Sequence, residues 1–186
     1  MLETAIGLMQ SGLSPSVSDV AEAAGVSRAT AYRYFPSQAA MVHAAVDYGL
    51  GPILQWSSDS NDAEERIGDL LKTSMPRISA FEATFKAALK LSLDQWAHRQ
   101  AGTLGPEPLF KRGHRVKVLQ DALAPLRQTL SPEAFDRLAK ALSLVYGLEV
   151  LLVLKDIWQL EADEVYAVNH WAARALIRAA IEEAAK

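Results

Sequence analysis

The sequence predicts an all-α fold in two parts, a short N-terminal helix-turn-helix unit and a longer C-terminal set of helices. Three observations lead there. No run of alternating apolar residues argues for a strand, whereas apolar residues recur at helical spacing along most of the chain. Helix punctuation is frequent, with Met75-Pro76, the stretch Gly102-Thr103-Leu104-Gly105-Pro106, and Ser131 followed by Pro132. Residues 16–38, SVSDVAEAAGVSRATAYRYFPSQ, read as two short helices joined by a tight turn.

The first helix is expected over residues 2–12, with Leu2, Ala5, Ile6 and Met9 inward and Gly12 closing it. Ser16 and Asp19 form an S-x-x-D capping box ahead of Val20, Ala21 and Ala24. Gly25 supplies the positive φ that a helix end favours, and Val26 plugs the turn. Ser27 caps a helix from Arg28 to Phe35, and Pro36 stops it. At 100° per residue, Ala31 and Phe35 share its inward face and Ala29 and Arg33 point away. Arg28 and Tyr32 lie along one flank, Thr30 and Tyr34 along the other. Two Tyr and two Arg on one exposed arc imply an external partner. Helix, three-residue turn and helix at this spacing make the helix-turn-helix whose second helix enters the major groove of double-stranded DNA.

The run VAEAAGVSRATAYRYFPSQAAMVHAAV resembles the DNA-binding domain of the TetR family of bacterial repressors, whose signature is G-V-S-x-x-T-x-Y-x-Y/H-F followed by a Pro-Ser linker. The resemblance covers about the first fifty residues; beyond them only length and helical layout are shared. It implies a DNA-binding domain over residues 1–50 and an effector-binding and dimerisation domain over 51–186. It also implies that Arg28, Ala29 and Arg33 read base edges, an arginine–guanine pair being worth roughly 1–3 kcal/mol of discrimination. Thr30, Tyr32 and Tyr34 would mainly contact phosphate, with Ser16, Ser18 and Ser27 supporting them. The family usually has Lys after the Pro-Ser linker; here Gln38 stands there, a weaker phosphate contact without the charge. The family's first helix usually begins several residues earlier, after a short basic arm. The expectation is therefore a misplaced start or an absent arm.

Charge qualifies this reading. The chain of 186 residues carries a net −3. Within residues 1–50, Arg28 and Arg33 stand against Glu3, Asp19, Glu22 and Asp47, a balance of −2. Lys and Arg neutralising phosphates supply most nonspecific affinity, so that affinity is expected to be weak.

The fourth helix is expected from about residue 37 into the fifties, with Gly49, Gly51 and Pro52 interrupting it; the resemblance makes it the link that transmits ligand binding to the recognition helix. Further helices are expected at about 62–75, 77–99, 107–129, 132–159 and 163–184. The last two are the most apolar. One carries Leu138, Leu142, Val145, Leu148, Leu152 and Trp158; the other carries Val165, Val168, Trp171, Leu176 and a small-residue seam of Ala172, Ala175, Ala179 and Ala180. The resemblance makes this pair the homodimer face, with Leu148, Leu152, Trp171, Ala175 and Ala179 at its centre.

The middle helices hold Met75, Phe81, Phe85, Trp96, Phe110 and Tyr146, which serve either as plain core or as the wall of an apolar, aromatic cavity for a small hydrophobic effector. Asp94, Gln95, His98 and Glu149 are the polar groups that could orient such a ligand. Glu149 interrupts an apolar run and needs a partner if buried. The cluster Lys111, Arg112, His114, Arg115 and Lys117 reads as a solvated helix face rather than a second nucleic-acid patch.

Other classes are excluded or unsupported. With no cysteine, disulfides and thiol chemistry are impossible. The four histidines form no metal-binding pair, and no phosphate loop or nucleophile elbow is present. No enzyme activity, cofactor or metal is expected. The longest apolar run, 142–154, contains Ser143, Gly147 and Glu149 and is too short and polar to span a bilayer. With no signal-peptide pattern, a cytoplasmic location is expected. The reading is a homodimeric repressor released from a pseudo-palindromic operator by a small apolar ligand, the alternative being a helical ligand-binding or protein-interaction dimer with weak or lost DNA binding. Arg33→Ala should relax sequence preference in binding to a panel of operator variants, whereas Tyr34→Phe should weaken all sites alike.

Overall fold

The computed structural model describes residues 1–106, 108–110 and 112–185. Among them are ten α-helices and no strand: α1 (Leu2–Gln10), α2 (Val17–Ala23), α3 (Arg28–Tyr34), α4 (Gln38–Leu50), α5 (Ala63–Ala80), α6 (Glu82–Gln100), α7 (His114–Ala122), α8 (Pro132–Leu142), α9 (Leu148–Leu151) and α10 (Ala162–Ala184). The all-α expectation holds. Two compact units emerge: Met1–Gly51 with Ala80–Arg112, and Pro52–Ser79 with Gly113–Lys186.

In the first unit α2 packs on α3, and α1 and α4 pack on α6. The α1, α2 and α4 core is Ala5, Ile6, Met9, Val20, Ala21, Met41, Val42 and Ala45. At the end of α4 the backbone approaches α6 closely. A Cβ on Gly49 would lie 3.2–3.3 Å from the rings of Phe85 and Phe81, so a larger residue would fit only if the rings shifted by a few tenths of an ångström.

In the second unit α8 packs against α7 and α10 around Leu119, Phe135, Leu138, Leu142 and Ile177. Glu64 at the start of α5 accepts from Arg174 and Arg178 of α10. Further along, α5 places Gly68 against the His170 ring, where a Cβ would come within 3.1 Å.

Three expected helix limits are corrected. The Met75-Pro76 boundary does not exist, because α5 runs through Pro76 to Ala80. Proline removes the bond to the carbonyl four residues back. Pro76 and Lys72 are both exposed, so the solvent side absorbs the loss. The helix expected over 107–129 is shorter and begins at His114, with Glu107 and Lys111 outside the described residues. It stops at Ala122 because Pro125 cannot donate to the Asp121 carbonyl. Arg66 takes that carbonyl and the Ala122 carbonyl instead, at 2.9 and 3.0 Å. A 3-10 turn, Ala124–Gln128, follows.

The single helix expected over 132–159 is broken at Tyr146-Gly147, where Gly147 has φ +108°. After the break α9 passes into a π-helical stretch, Leu152–Ile157. The cause is Arg115. Its guanidinium lies against Gly147, donates to the Ser143 and Tyr146 carbonyls at 3.0 Å each, and pairs with Glu149. Arg115 is thus no part of a solvated basic face, and Glu149, half-buried rather than buried, pairs with it.

Two measurements follow. Arg115→Ala leaves two carbonyls and a carboxylate without their donor and should cost about 2–4 kcal/mol in urea unfolding, with Arg115→Lys recovering only part because it lacks the planar fork. The Glu64 carboxyl is held below its ordinary value of 4.5, first by the Arg178 hydrogen bond and then by Arg174. A lowered folded pKa gives stability that is full above the unfolded value and is lost as pH falls through the folded one. The stability difference between the parent and Glu64→Gln should therefore shrink steadily as melting is repeated from pH 6 down to about pH 3.

Candidate DNA-binding surface

The geometry of residues 16–38 is set by local hydrogen bonds. Ser16 Oγ accepts from the Asp19 amide at 3.2 Å, and the Asp19 carboxylate accepts from the Ser16 amide at 2.7 Å. Those same bonds, the Ser16 backbone first, hold the Asp19 carboxyl below its usual range. At the other end of α2 the Val26 amide donates to the Ala21 carbonyl and the Gly25 amide to that of Glu22, with Gly25 at φ +65°. This is a Schellman closure, and it fixes the angle at which the chain enters α3. Ser27 then caps α3 through the Thr30 amide, and the two hydroxyls lie 3.0 Å apart.

The wheel drawn from the sequence is what α3 presents. Ala31 is fully buried, with 0% of its surface exposed, and Phe35 is buried beside it. Arg28, Ala29, Tyr32, Arg33 and Tyr34 are all exposed, Tyr34 at 66%, while Thr30 is half-buried. Ser16 and Ser18 are half-buried at the start of α2, and Ser27 is exposed. The surface is thus two guanidiniums and two phenols on one short helix, which can donate to base edges and phosphates without rearrangement. Gln38 is different. Its Nε2 donates to the Pro15 carbonyl at 3.1 Å, tying the start of α4 to the residue before the α2 cap.

The residues expected to line an effector cavity fall in both units. Phe81, Phe85, Trp96, His98 and Phe110 belong to the first unit; Met75, Tyr146 and Glu149 belong to the second. Phe81 and Phe85 pack on Gly49, and Phe110 stacks on His43 with ring centroids 4.4 Å apart. Trp96 is exposed. His98 is also exposed, and its Nδ1 lies 3.1 Å from the Thr103 hydroxyl rather than pairing with Asp94. Met75 lines a cavity of about 700 Å³ in the second unit with Leu151, Leu160, Val165 and Tyr166. Tyr146 is buried beside Ser74, whose hydroxyl donates to the Leu70 carbonyl. Burial pushes the Tyr146 phenol above its ordinary pKa.

Of the residues expected at a dimer face, Trp171, Ala175 and Ala179 are exposed on α10, Trp171 at 72%. Leu152 is half-buried, and Leu148 is buried within its own chain. Ile157 and Trp158 add further exposed apolar surface to the same unit. The sequence reading had no signal for Ile157, since it lies in the π-helical stretch, where the 100° step no longer holds.

Among the described residues no group of three or more His, Asp or Glu is placed to hold a metal, and no helix is long and apolar enough to cross a membrane. Gly25→Ala should destabilise by about 1 kcal/mol in thermal melting, because φ is positive there, whereas Gly7→Ala inside α1 should stabilise by a comparable amount.

Residues 2–45 match the family model for bacterial regulatory proteins of the tetR family, a span running from α1 through the helix-turn-helix into α4. No curated protein and no solved structure matched the chain. This N-terminal segment is thus similar to the DNA-binding domain of bacterial regulatory proteins of the tetR family, which supports a DNA-binding transcriptional regulator.

Proposed function

We propose that the protein is a homodimeric repressor that binds a pseudo-palindromic operator and is released from it by a small apolar ligand. The observation that carries this reading is α3, a rigidly capped helix with Arg28, Arg33, Tyr32 and Tyr34 on its open face. Residues 1–50 act as the DNA-binding domain and 51–186 as the effector-binding and dimerisation domain. Arg28, Ala29 and Arg33 read bases. Ser16, Ser18, Ser27, Thr30, Tyr32 and Tyr34 hold the backbone, and Gln38 is at best a neutral contact while its amide serves Pro15.

Dimerisation is supported by the exposed apolar residues of the second unit, above all Trp158 and Trp171, which a second copy would cover. Two α3 helices then need a separation near one DNA turn, about 34–36 Å, to enter successive major grooves. A small-molecule effector is supported by the cavity beside Met75, Leu151 and Val165, whose apolar wall would take its apolar part and whose lining also includes Lys72, Lys155, Glu161 and Asp163. A ligand relieves repression only by preferring the non-binding state, typically by about 1–3 kcal/mol.

The second reading, a ligand-binding or protein-interaction dimer that has lost DNA affinity, is favoured by the acidic balance of residues 1–50 and by the inward-turned Gln38. Footprinting on the DNA upstream of the protein's own gene, at two salt concentrations with competitor DNA, separates the two. The repressor reading expects a protected pseudo-palindrome with a salt slope shallower than about −4, since each protomer offers only two arginines. No protection at the lower salt would sink it in favour of the second reading.

A further inference from the structure

The first unit contains a groove of about 470 Å³ that none of the preceding functions uses. One wall is α6, which presents Lys90, Asp94 and His98 at successive steps of four residues and therefore on one face. The apolar floor comes from Met9, Val42 and Leu91. The opposite rim is Ser14 and Pro15, in the loop that leads into the α2 cap, with Gln38 at the start of α4. The segment after α6 is pinned across it: the Gln95 side chain, buried, donates to the Pro108 carbonyl at 3.1 Å and accepts from the Phe110 amide at 2.7 Å.

Lys and Asp four residues apart on a helix lie within reach of each other. In this chain Lys117 and Asp121, in the same order and at the same spacing, form an ion pair, and Asp136 and Lys140 do as well. Lys90 and Asp94 do not. The Lys90 ammonium reaches across to the Ser14 hydroxyl at 3.3 Å, and Asp94 has no ion-pair or hydrogen-bond partner among the described residues. A cation and an anion are thereby held apart at the edge of an apolar groove.

We propose that this groove binds a small zwitterion with an apolar body, of the kind a free aromatic or aliphatic amino acid represents. Its ammonium pairs with Asp94, its carboxylate with Lys90, and its apolar part lies on Val42 and Leu91. Binding draws Lys90 from Ser14 and loosens the loop whose Pro15 carbonyl Gln38 holds. The start of α2 is then less well fixed and DNA affinity falls. Only this last step rests on the regulator reading; the binding site stands without it.

The experiment is a calorimetric titration of the full chain with L-phenylalanine, with phenylacetate and phenethylamine as compounds carrying one charge each. The expected result is one site per chain, saturating below about 10 mM, with each single-charge compound weaker by about fivefold or more. Lys90→Ala and Asp94→Asn, both on exposed positions, should weaken L-phenylalanine to a similar degree at an unchanged melting temperature. Absence of binding, equal binding of the three compounds, or variants that bind like the parent would each overturn the assignment. The coupling is read separately, as operator affinity with and without L-phenylalanine. A several-fold loss supports it, and an unchanged affinity overturns it. If no DNA binds under any condition, the regulator reading and the coupling both fall, while the calorimetry still decides the groove.

Discussion

A chain built only of helices must dispose of the carbonyls at every helix end, and in the second unit that task falls on two guanidiniums. Arg66 takes the Asp121 and Ala122 carbonyls at the end of α7, and those of Ser58 and Ser60 ahead of α5. Arg115 takes those of Ser143 and Tyr146 at the break before α9. Each side chain offers a planar fork of donors, which suits two carbonyls turned the same way. Without them the same carbonyls would be partly buried and unpaired, at a cost that backbone propensity alone cannot offset. The broken course of the chain between α7 and α10 therefore depends on residues distant in sequence from the breaks.

The first unit meets the complementary need, partners for the amides at helix starts, with local caps. Ser16, Ser27 and Ser37 each cap a helix through an amide three residues on, and Gly25 closes α2. On the proposed function α3 must hold its side chains in register with base edges, and it is only seven residues long. Too short to be stable alone, it is held by its cap, by Ala31 and Phe35 beneath it, and by the turn from α2.

This difference explains what the sequence revealed. The capping box, the turn glycine and the inward pair Ala31 and Phe35 were legible because their causes lie within four residues of each other. The break at Gly147 was not, since the side chain that holds it, Arg115, lies far away in the chain, and neither was Arg66, which takes the carbonyls that Pro125 leaves free at the end of α7. Phe81, Phe85 and Phe110 read as possible cavity walls because hydrophobicity does not say what an aromatic ring packs on. Gly49 and His43, which receive them, gave no such hint. Pro76 misled for the opposite reason, a strong local signal overridden because the side of the helix it disturbs is open to water.

Gln38 shows how one substitution can bear on both binding and control. A lysine at the start of α4 offers a phosphate a full charge, and its ammonium can only donate. A glutamine has no charge for the phosphate, but its amide donates to a carbonyl at fixed geometry, and here that carbonyl is Pro15. The exchange removes electrostatic affinity from a segment already short of positive residues and adds a mechanical link between α4 and the cap of α2. Affinity drawn from charge is insensitive to small shifts of the helix, because Coulomb attraction falls slowly with distance. Affinity drawn from Arg33 and the phenols of α3 is not, since hydrogen bonds to base edges fail within a fraction of an ångström. On the proposed function, a regulator of this composition would bind DNA less tightly and respond more sharply to whatever moves the start of α2.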